Sequence, residues 1–313
     1  VNDLADWYNT NVGPDFVNCR NRILAILNKE NSDEVELTKD ILSTKLYFSS
    51  KNDADICIKN GVIYYKDELS DEFSSAQIKP ISIDENYIYD RKTKGKILHT
   101  FWYKIIARPL AYIFLKIKFG HKIINKEVLK GYSDKGIFIY GNHTNAAADA
   151  FIPSMVSFPK DTYVIVHPNN VSMPVLGKIT PYLGAVPLPG NKEAFVNFTD
   201  IIGKRQEKDS IVIYPEAHIW PYYTKIRPFK DMSFRYPAQY HAPVFCFTNV
   251  YRKRKLRKTP RMITYVDGPF IADSLIPIKE QKAYLRNKVY DAMTARSKNN
   301  NVEIIKYIRL ENE

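Results

Sequence analysis

A histidine and an aspartate stand six positions apart in the stretch Tyr140-Gly141-Asn142-His143-Thr144-Asn145-Ala146-Ala147-Ala148-Asp149. An imidazole exchanges protons near neutral pH, and a carboxylate beside it fixes its tautomer and stabilises its charged form. No serine or cysteine stands in the stretch, so the chemistry on offer is removal of a proton from a substrate hydroxyl. An isolated pair of this kind is more often a helix cap with a solvated carboxylate. Its neighbours must therefore supply the position. Gly136-Ile137-Phe138-Ile139-Tyr140 is apolar and β-branched between turn signals, which predicts a short buried strand. The residues after it are helix-compatible as far as Phe158, apart from Pro153, and Pro159 ends them. A histidine at a strand-to-helix turn lies at the C-terminal edge of a sheet, where open α/β folds hold their ligands.

Three more segments follow in order: Met173-Pro174-Val175-Leu176-Gly177-Lys178 with Tyr182-Leu183-Gly184-Ala185-Val186-Pro187-Leu188-Pro189; Ile211-Val212-Ile213-Tyr214-Pro215-Glu216-Ala217-His218; and Ala242-Pro243-Val244-Phe245-Cys246-Phe247. With the first, and at this spacing, they resemble the four blocks of the glycerolipid acyltransferase superfamily, whose best-known members acylate 1-acylglycerol-3-phosphate. The resemblance covers roughly residues 97–270. It implies His143 as general base with Asp149 holding its imidazole, and an acceptor site including Asn142 and Glu216.

The chain departs from the family pattern in three places. Five residues separate His143 from Asp149, where the family has four. Neither spacing puts the pair on one helical face at about 100° per residue, so the histidine belongs in the turn, where an extra residue is absorbed. Gly190 and Ile219 stand where the family carries arginines associated with glycerol phosphate, and Ala217-His218 replaces Gly-Thr. Lysine replaces arginine only in part as a bidentate phosphate ligand. The cations that can meet an acceptor from other backbone positions are Lys192, His218, Lys225, Arg227 and Lys230. Trp220, Tyr222 and Tyr223 fit either an acyl groove or plain core.

Charge divides the chain unevenly. Residues 1–95 hold 17 Asp+Glu against 12 Lys+Arg, and the remainder holds 34 Lys+Arg against 17 Asp+Glu. Such a surplus favours phosphate-rich partners: an anionic membrane, acyl-CoA or an acidic acyl carrier protein. Residues 97–118 form an aromatic and aliphatic stretch in which Lys104, Arg108 and Lys116 share one helical side and Pro109 should kink the axis. That pattern predicts a helix lying in a membrane interface with its cations towards the headgroups. No segment of about 18 residues is apolar and free of charge, so a spanning helix is not expected. Seven cations crowd residues 252–261 between two apolar runs, as at the tip of a hairpin. Stacking aromatics are absent from that cluster, so no nucleic acid is expected as partner.

The three cysteines, Cys19, Cys57 and Cys246, are widely spaced and fit a reducing compartment; Cys246 reads as a small core residue. No Cys/His pattern suggests a metal, and no resident cofactor is needed when acyl-CoA or acyl carrier protein brings an activated thioester. Residues 1–50 read as helical, residues 56–65 as hairpin-like, residues 278–297 as an exposed basic helix and residues 302–310 as a short strand or helix. Residues 3–30 faintly resemble the C-terminal region of the catalytic subunit of V/A-type ATPases, without its nucleotide motifs.

The expected fold is α/β: a mostly parallel central sheet flanked by helices over residues 96–313, preceded by a peripheral, partly mobile acidic extension, residues 1–95. The expected function is transfer of a fatty acyl group from an acyl thioester to a hydroxyl of a lysophospholipid or glycerol-phosphate-like acceptor. The expected location is the cytoplasm, peripherally on the inner face of the membrane. The alternative is a non-catalytic protein on the same fold that binds anionic membranes or nucleic acid. A serine hydrolase would lack its nucleophile, since no Gly-x-Ser-x-Gly elbow occurs.

Overall fold

The computed structural model describes residues 61–73, 80–90 and 93–310. The helices expected over residues 1–50, Cys19, Cys57 and the ATPase-like residues 3–30 lie outside the described residues.

In chain order, β1 (Val62–Tyr65) is followed by one long helical stretch: α1 (Thr93–His99), a π-helical segment (Thr100–Ala107) and α2 (Arg108–Phe119). Then come β2 (Lys122–Ile124), β3 (Ile137–Gly141), α3 (Ala146–Asp149), α4 (Ile152–Ser157), β4 (Thr162–Val166), α5 (Asn169–Ser172), α6 (Leu176–Ile179), β5 (Ala185–Pro187), α7 (Lys192–Arg205) and β6 (Ser210–Ile213). The chain continues through α8 (Arg235–Tyr240), the hairpin β7 (Val244–Arg252) and β8 (Arg261–Phe270), α9 (Ile278–Ser297) and β9 (Lys306–Arg309).

The described chain forms two compact units, and they do not divide at residue 95. In one, β1 pairs in parallel with β9, Val62 opposite Lys306. The rest of the hairpin expected over residues 56–65 lies outside the described residues. The other unit, within residues 66–303, is built on a seven-stranded sheet in the order β2-β8-β7-β3-β6-β4-β5. Every neighbouring pair is parallel except the β7–β8 hairpin. This is the mostly parallel α/β sheet flanked by helices that the alternation of segments predicts.

Position in the sheet explains the strand sequences. A central parallel strand is covered on both faces and so reads as a continuous apolar run. All five residues of β3 are buried between β6 and β7, as are all four of β6 and eight of the nine in β7. Helix α9 buries Gln281, Leu285, Val289 and Met293, four residues apart, and packs along β7 and α8.

The stretch from α1 to α2 corrects one sequence expectation. Pro109 falls in the first turn of α2, where its missing N–H is tolerated, and the π-helical segment precedes it. Of the three cations, Lys104 and Lys116 are exposed and Arg108 is buried. The exposed Lys104 pairs with Asp161 at 3.0 Å, and the buried Arg108 donates to the carbonyls of Pro159 and Lys160. Beside the exposed lysines, Ile97, Phe101, Ile105, Leu110, Ile113 and Ile117 are all exposed as well. The basic run is a hairpin tip, as expected, and it docks on the C-terminal end of α2. There Arg257 donates to the Ile117 carbonyl at 2.7 Å and Arg254 to that of Lys118 at 3.1 Å, a favourable place for cations. Leu256, between them in sequence, is 96% exposed.

Candidate active site

His143 occupies the turn between β3 and α3, at the C-terminal edge of the sheet. The strand brings it there on Gly141, where a Cβ would lie 2.2 Å from the ring of Phe247 in the adjoining strand. Helix α3 is a single turn. Asn145 caps it by accepting from the Ala148 N–H, which leaves the turn before it free to bend. That bend absorbs the extra residue: His143 Nδ1–H donates to Asp149 Oδ2 at 2.9 Å.

Asp149 is 2% exposed, yet every lone-pair direction it uses is satisfied. Its Oδ2 also accepts from the N–H groups of Thr144 and Asn145, at 2.9 and 2.8 Å, and its Oδ1 accepts from Asn249 Nδ2 at 3.3 Å. Those bonds replace the water a buried anion loses. Because a carboxylate only accepts, Nδ1 carries the imidazole hydrogen. Nε2 is left as the basic nitrogen, with no hydrogen bond among the described residues. Tyr214 stacks on the imidazole at 4.2 Å between centroids and donates to the Asp149 carbonyl at 2.5 Å, so ring and carboxylate are packed from one side together. Burial pushes the Tyr214 hydroxyl well above its ordinary pKa, and the Asp149 charge adds to this.

The loop after β6 clamps the main chain of the turn. Glu216 Oε2 accepts the His143 N–H at 3.1 Å, and the Trp220 N–H donates to the His143 carbonyl at 3.1 Å. The Tyr222 N–H donates to the Thr144 carbonyl at 2.8 Å. Glu216 Oε1 takes the Arg227 N–H at 3.1 Å, and the Arg227 guanidinium lies 3.6 Å from Oε2. Both side chains have no exposed surface. Burial raises the Glu216 carboxyl above its ordinary pKa, against the opposing pull of Arg227 and the two N–H bonds. Ala217 and Tyr222 hold positive φ, 63° and 56°, a region in which a side chain is strained.

This geometry revises several expected roles. Asn142 does not face an acceptor: its amide donates to the Asn249 carbonyl at 3.1 Å and accepts from the Asn249 N–H at 2.7 Å, tying the end of β3 to β7. Glu216 and Arg227 are buried anchors of the turn rather than solvent-facing ligands, because their polar atoms are spent on main-chain groups and on each other. Trp220, Tyr222 and Tyr223 are core. The N–H groups of Thr144, Asn145 and Ala148 are already taken by Asp149 and Asn145.

His218 is partly exposed and lies with Nδ1 3.3 Å from Glu72 Oε2. The bond to His218 holds the Glu72 carboxyl below its ordinary pKa against burial, with smaller help from the charges of His218, His167 and His143. Lys192 opens α7 after β5, three strands along the sheet from β3, and Lys225 follows the clamp loop; both are exposed. Cys246 is fully buried in β7, and burial pushes its thiol well above the ordinary range, which removes it as a nucleophile. No group of three or more His, Cys, Asp and Glu able to hold a metal occurs among the described residues.

Sequence reasoning missed Glu72, Tyr214 and Asn249. For Asn249 a signal was present: Thr248-Asn249 interrupts an otherwise apolar buried strand, and polar groups persist there only with partners.

No family model and no curated protein matches the chain. Among solved structures it is similar to the 1-acyl-sn-glycerophosphate (LPA) acyltransferase PlsC of Thermotoga maritima. The identity is 16% and the TM-score 0.49, over 70% of this chain and 87% of that one. No comparison supports the resemblance of residues 3–30 to an ATPase subunit.

Proposed function

We propose that the protein is an acyltransferase. It moves a fatty acyl group from acyl-CoA or acyl carrier protein to a hydroxyl of a lysophospholipid or a glycerol-phosphate-like acceptor. The observation that carries this reading is the dyad: Nδ1 committed to a fully bonded buried carboxylate, and Nε2 left to act as base. The acceptor oxygen attacks the thioester carbonyl as its proton passes to Nε2. Asp149 stabilises the imidazolium. The tetrahedral intermediate collapses, the C–S bond breaks, and the departing thiolate takes the proton back from Nε2. No resident cofactor enters this sequence, because the thioester is already activated.

The protein would work peripherally on the inner, cytoplasmic face of an anionic membrane. Support comes from the exposed apolar residues of α1–α2 beside the basic β7–β8 tip, an arrangement that suits headgroups around an inserted apolar strip. No helix among the described residues is long and apolar enough to cross a membrane. The exposed Lys192 and Lys225 and the partly exposed His218 are the cations offered to the acceptor headgroup.

The test is transfer of labelled acyl groups from acyl-CoA and acyl carrier protein to lysophospholipids and glycerol phosphate, with wild type and His143→Ala side by side. Transfer lost in the variant supports the reading. Transfer at an equal rate in the variant, or none by folded wild type to any acceptor, overturns it.

A further inference from the structure

We propose that His121, Thr264 and Asn249 are positioning residues: a chain of hydrogen bonds, all pointing one way, that holds the Asp149 carboxylate in the orientation His143 needs. This rests on the reading of His143 as general base.

The direction of the chain follows from counting hydrogens. Thr264 Oγ1 donates to Asn249 Oδ1 at 2.7 Å, so the Asn249 amide can only turn its Nδ2–H towards Asp149. A hydroxyl has one hydrogen. With that one given to Asn249, Thr264 must accept from His121 Nε2 at 2.7 Å, so His121 carries its hydrogen on Nε2. Burial, and then the charge of Lys116, lower the His121 pKa to about 4, which keeps the ring neutral. Each bond therefore points its hydrogen towards the carboxylate, and His121, Thr264 and Asn249 are all buried.

The chain runs across the sheet. His121 precedes β2, Thr264 is in β8, Asn249 is its cross-strand partner in β7, and the dyad follows β3: four adjacent strands. Burying three polar side chains in succession is costly unless all are satisfied, and apolar residues would fill the same space without that cost. What they add is local. Among the described residues, Oδ2 of Asp149 has three donors, whereas Oδ1 has only Asn249. Without it, Oδ1 becomes a buried acceptor lacking a donor. The carboxylate relieves that by rotating or by taking up a proton, and either change loosens its hold on Nδ1. Outer partners of this kind are what orient a working imidazole.

The test uses the full chain with nitrogen-15-labelled histidine and two substitutions, Thr264→Val, which deletes the hydroxyl at constant shape, and Thr264→Ser, which restores it. In the wild type, NMR should show His121 as the neutral Nε2–H tautomer from neutral pH down to about 4. His143 should show a slowly exchanging Nδ1–H. With valine, the Asn249 amide loses the bond that fixes its plane, so the His143 Nδ1–H should exchange at least about tenfold faster. In acyl transfer, kcat should fall about 10–100-fold with little change in KM. Serine should recover both. Should the valine variant fail to fold, His121→Gln and His121→Leu give the same contrast from the other end of the chain, since only glutamine keeps an N–H within reach. An unchanged His143 Nδ1–H exchange in the valine variant overturns the proposal. So does a failure of serine to restore it, or a wild-type His121 protonated on Nδ1. Absence of acyl transfer in wild type would refute the function proposed above while leaving the NMR contrast to decide the relay.

Discussion

Glu216→Gln separates two roles for the same residue. A carboxylate facing an acceptor leaves stability within about 0.5 kcal/mol when made an amide. The structure demands much more. Glu216 accepts two main-chain N–H groups, one on each oxygen, in a site with no exposed side-chain surface. Glutamine has one oxygen, so its NH2 must face one of those N–H donors, which costs about 1–3 kcal/mol. The substitution also leaves the Arg227 guanidinium buried without its anion, a loss of about 3–5 kcal/mol where nothing else compensates. Arg227 keeps the carbonyls of Glu216, His218 and Glu68 and its place over the Trp220 ring, which puts that loss at the lower end. The sum is about 4–6 kcal/mol, against a domain stability of about 5–15 kcal/mol. Urea unfolding of wild type and variant measures it directly. Adding Arg227→Met, which removes the stranded cation, should recover about half. A loss below about 1 kcal/mol would refute the buried-anchor assignment and return Glu216 to the acceptor site.

Three further perturbations follow from the geometry. Ala217 sits at φ 63°, so Ala217→Gly should raise stability by about 0.5–1 kcal/mol in urea unfolding, and destabilisation would show that the loop is unstrained. Burial tends to raise the pKa of Asp161, but the bonds and charges of His99 and Lys104 outweigh it and hold the carboxyl at about 2, below its ordinary 3.8. A depressed folded pKa stabilises above the unfolded value and loses that contribution as pH falls. Asp161→Asn should therefore cost about 2 kcal/mol at neutral pH, and the deficit should shrink as pH drops from about 4 towards 2; a deficit independent of pH would contradict the assignment. Leu256 is almost wholly exposed at the basic tip, and burying a leucine contributes about 1.5–3 kcal/mol. Leu256→Asp should thus weaken binding to phosphatidylglycerol–phosphatidylcholine vesicles by about tenfold or more in co-sedimentation, and undiminished binding would remove the tip from the contact.

The mostly parallel character of the sheet was legible because strands covered on both faces must be apolar throughout, and helical stretches between them force parallel neighbours; the order of its strands was not. The dyad was legible for a similar reason: a histidine after a buried strand, followed by an aspartate, has few places to go. What could not be read was the direction in which each side chain turns. Arg108 lies at the spacing of an outward basic face, yet the Pro159 and Lys160 carbonyls, distant in sequence, hold it inside the fold. Asn142, Glu216 and Arg227 have the residue types of ligands, and the same donors and acceptors serve equally to satisfy main-chain groups that a tight turn leaves unpaired. The turn makes that need severe. His143 must leave the ladder of β3 at once to reach Asp149, so its own N–H and carbonyl lose their strand partners. Glu216 and Trp220 supply the replacements. A histidine held by its main chain on one side and its Nδ1 on the other keeps Nε2 without a hydrogen bond among the described residues. Glu216 and Trp220, spent on the main chain of the turn, are thus what leaves Nε2 for the base role proposed above.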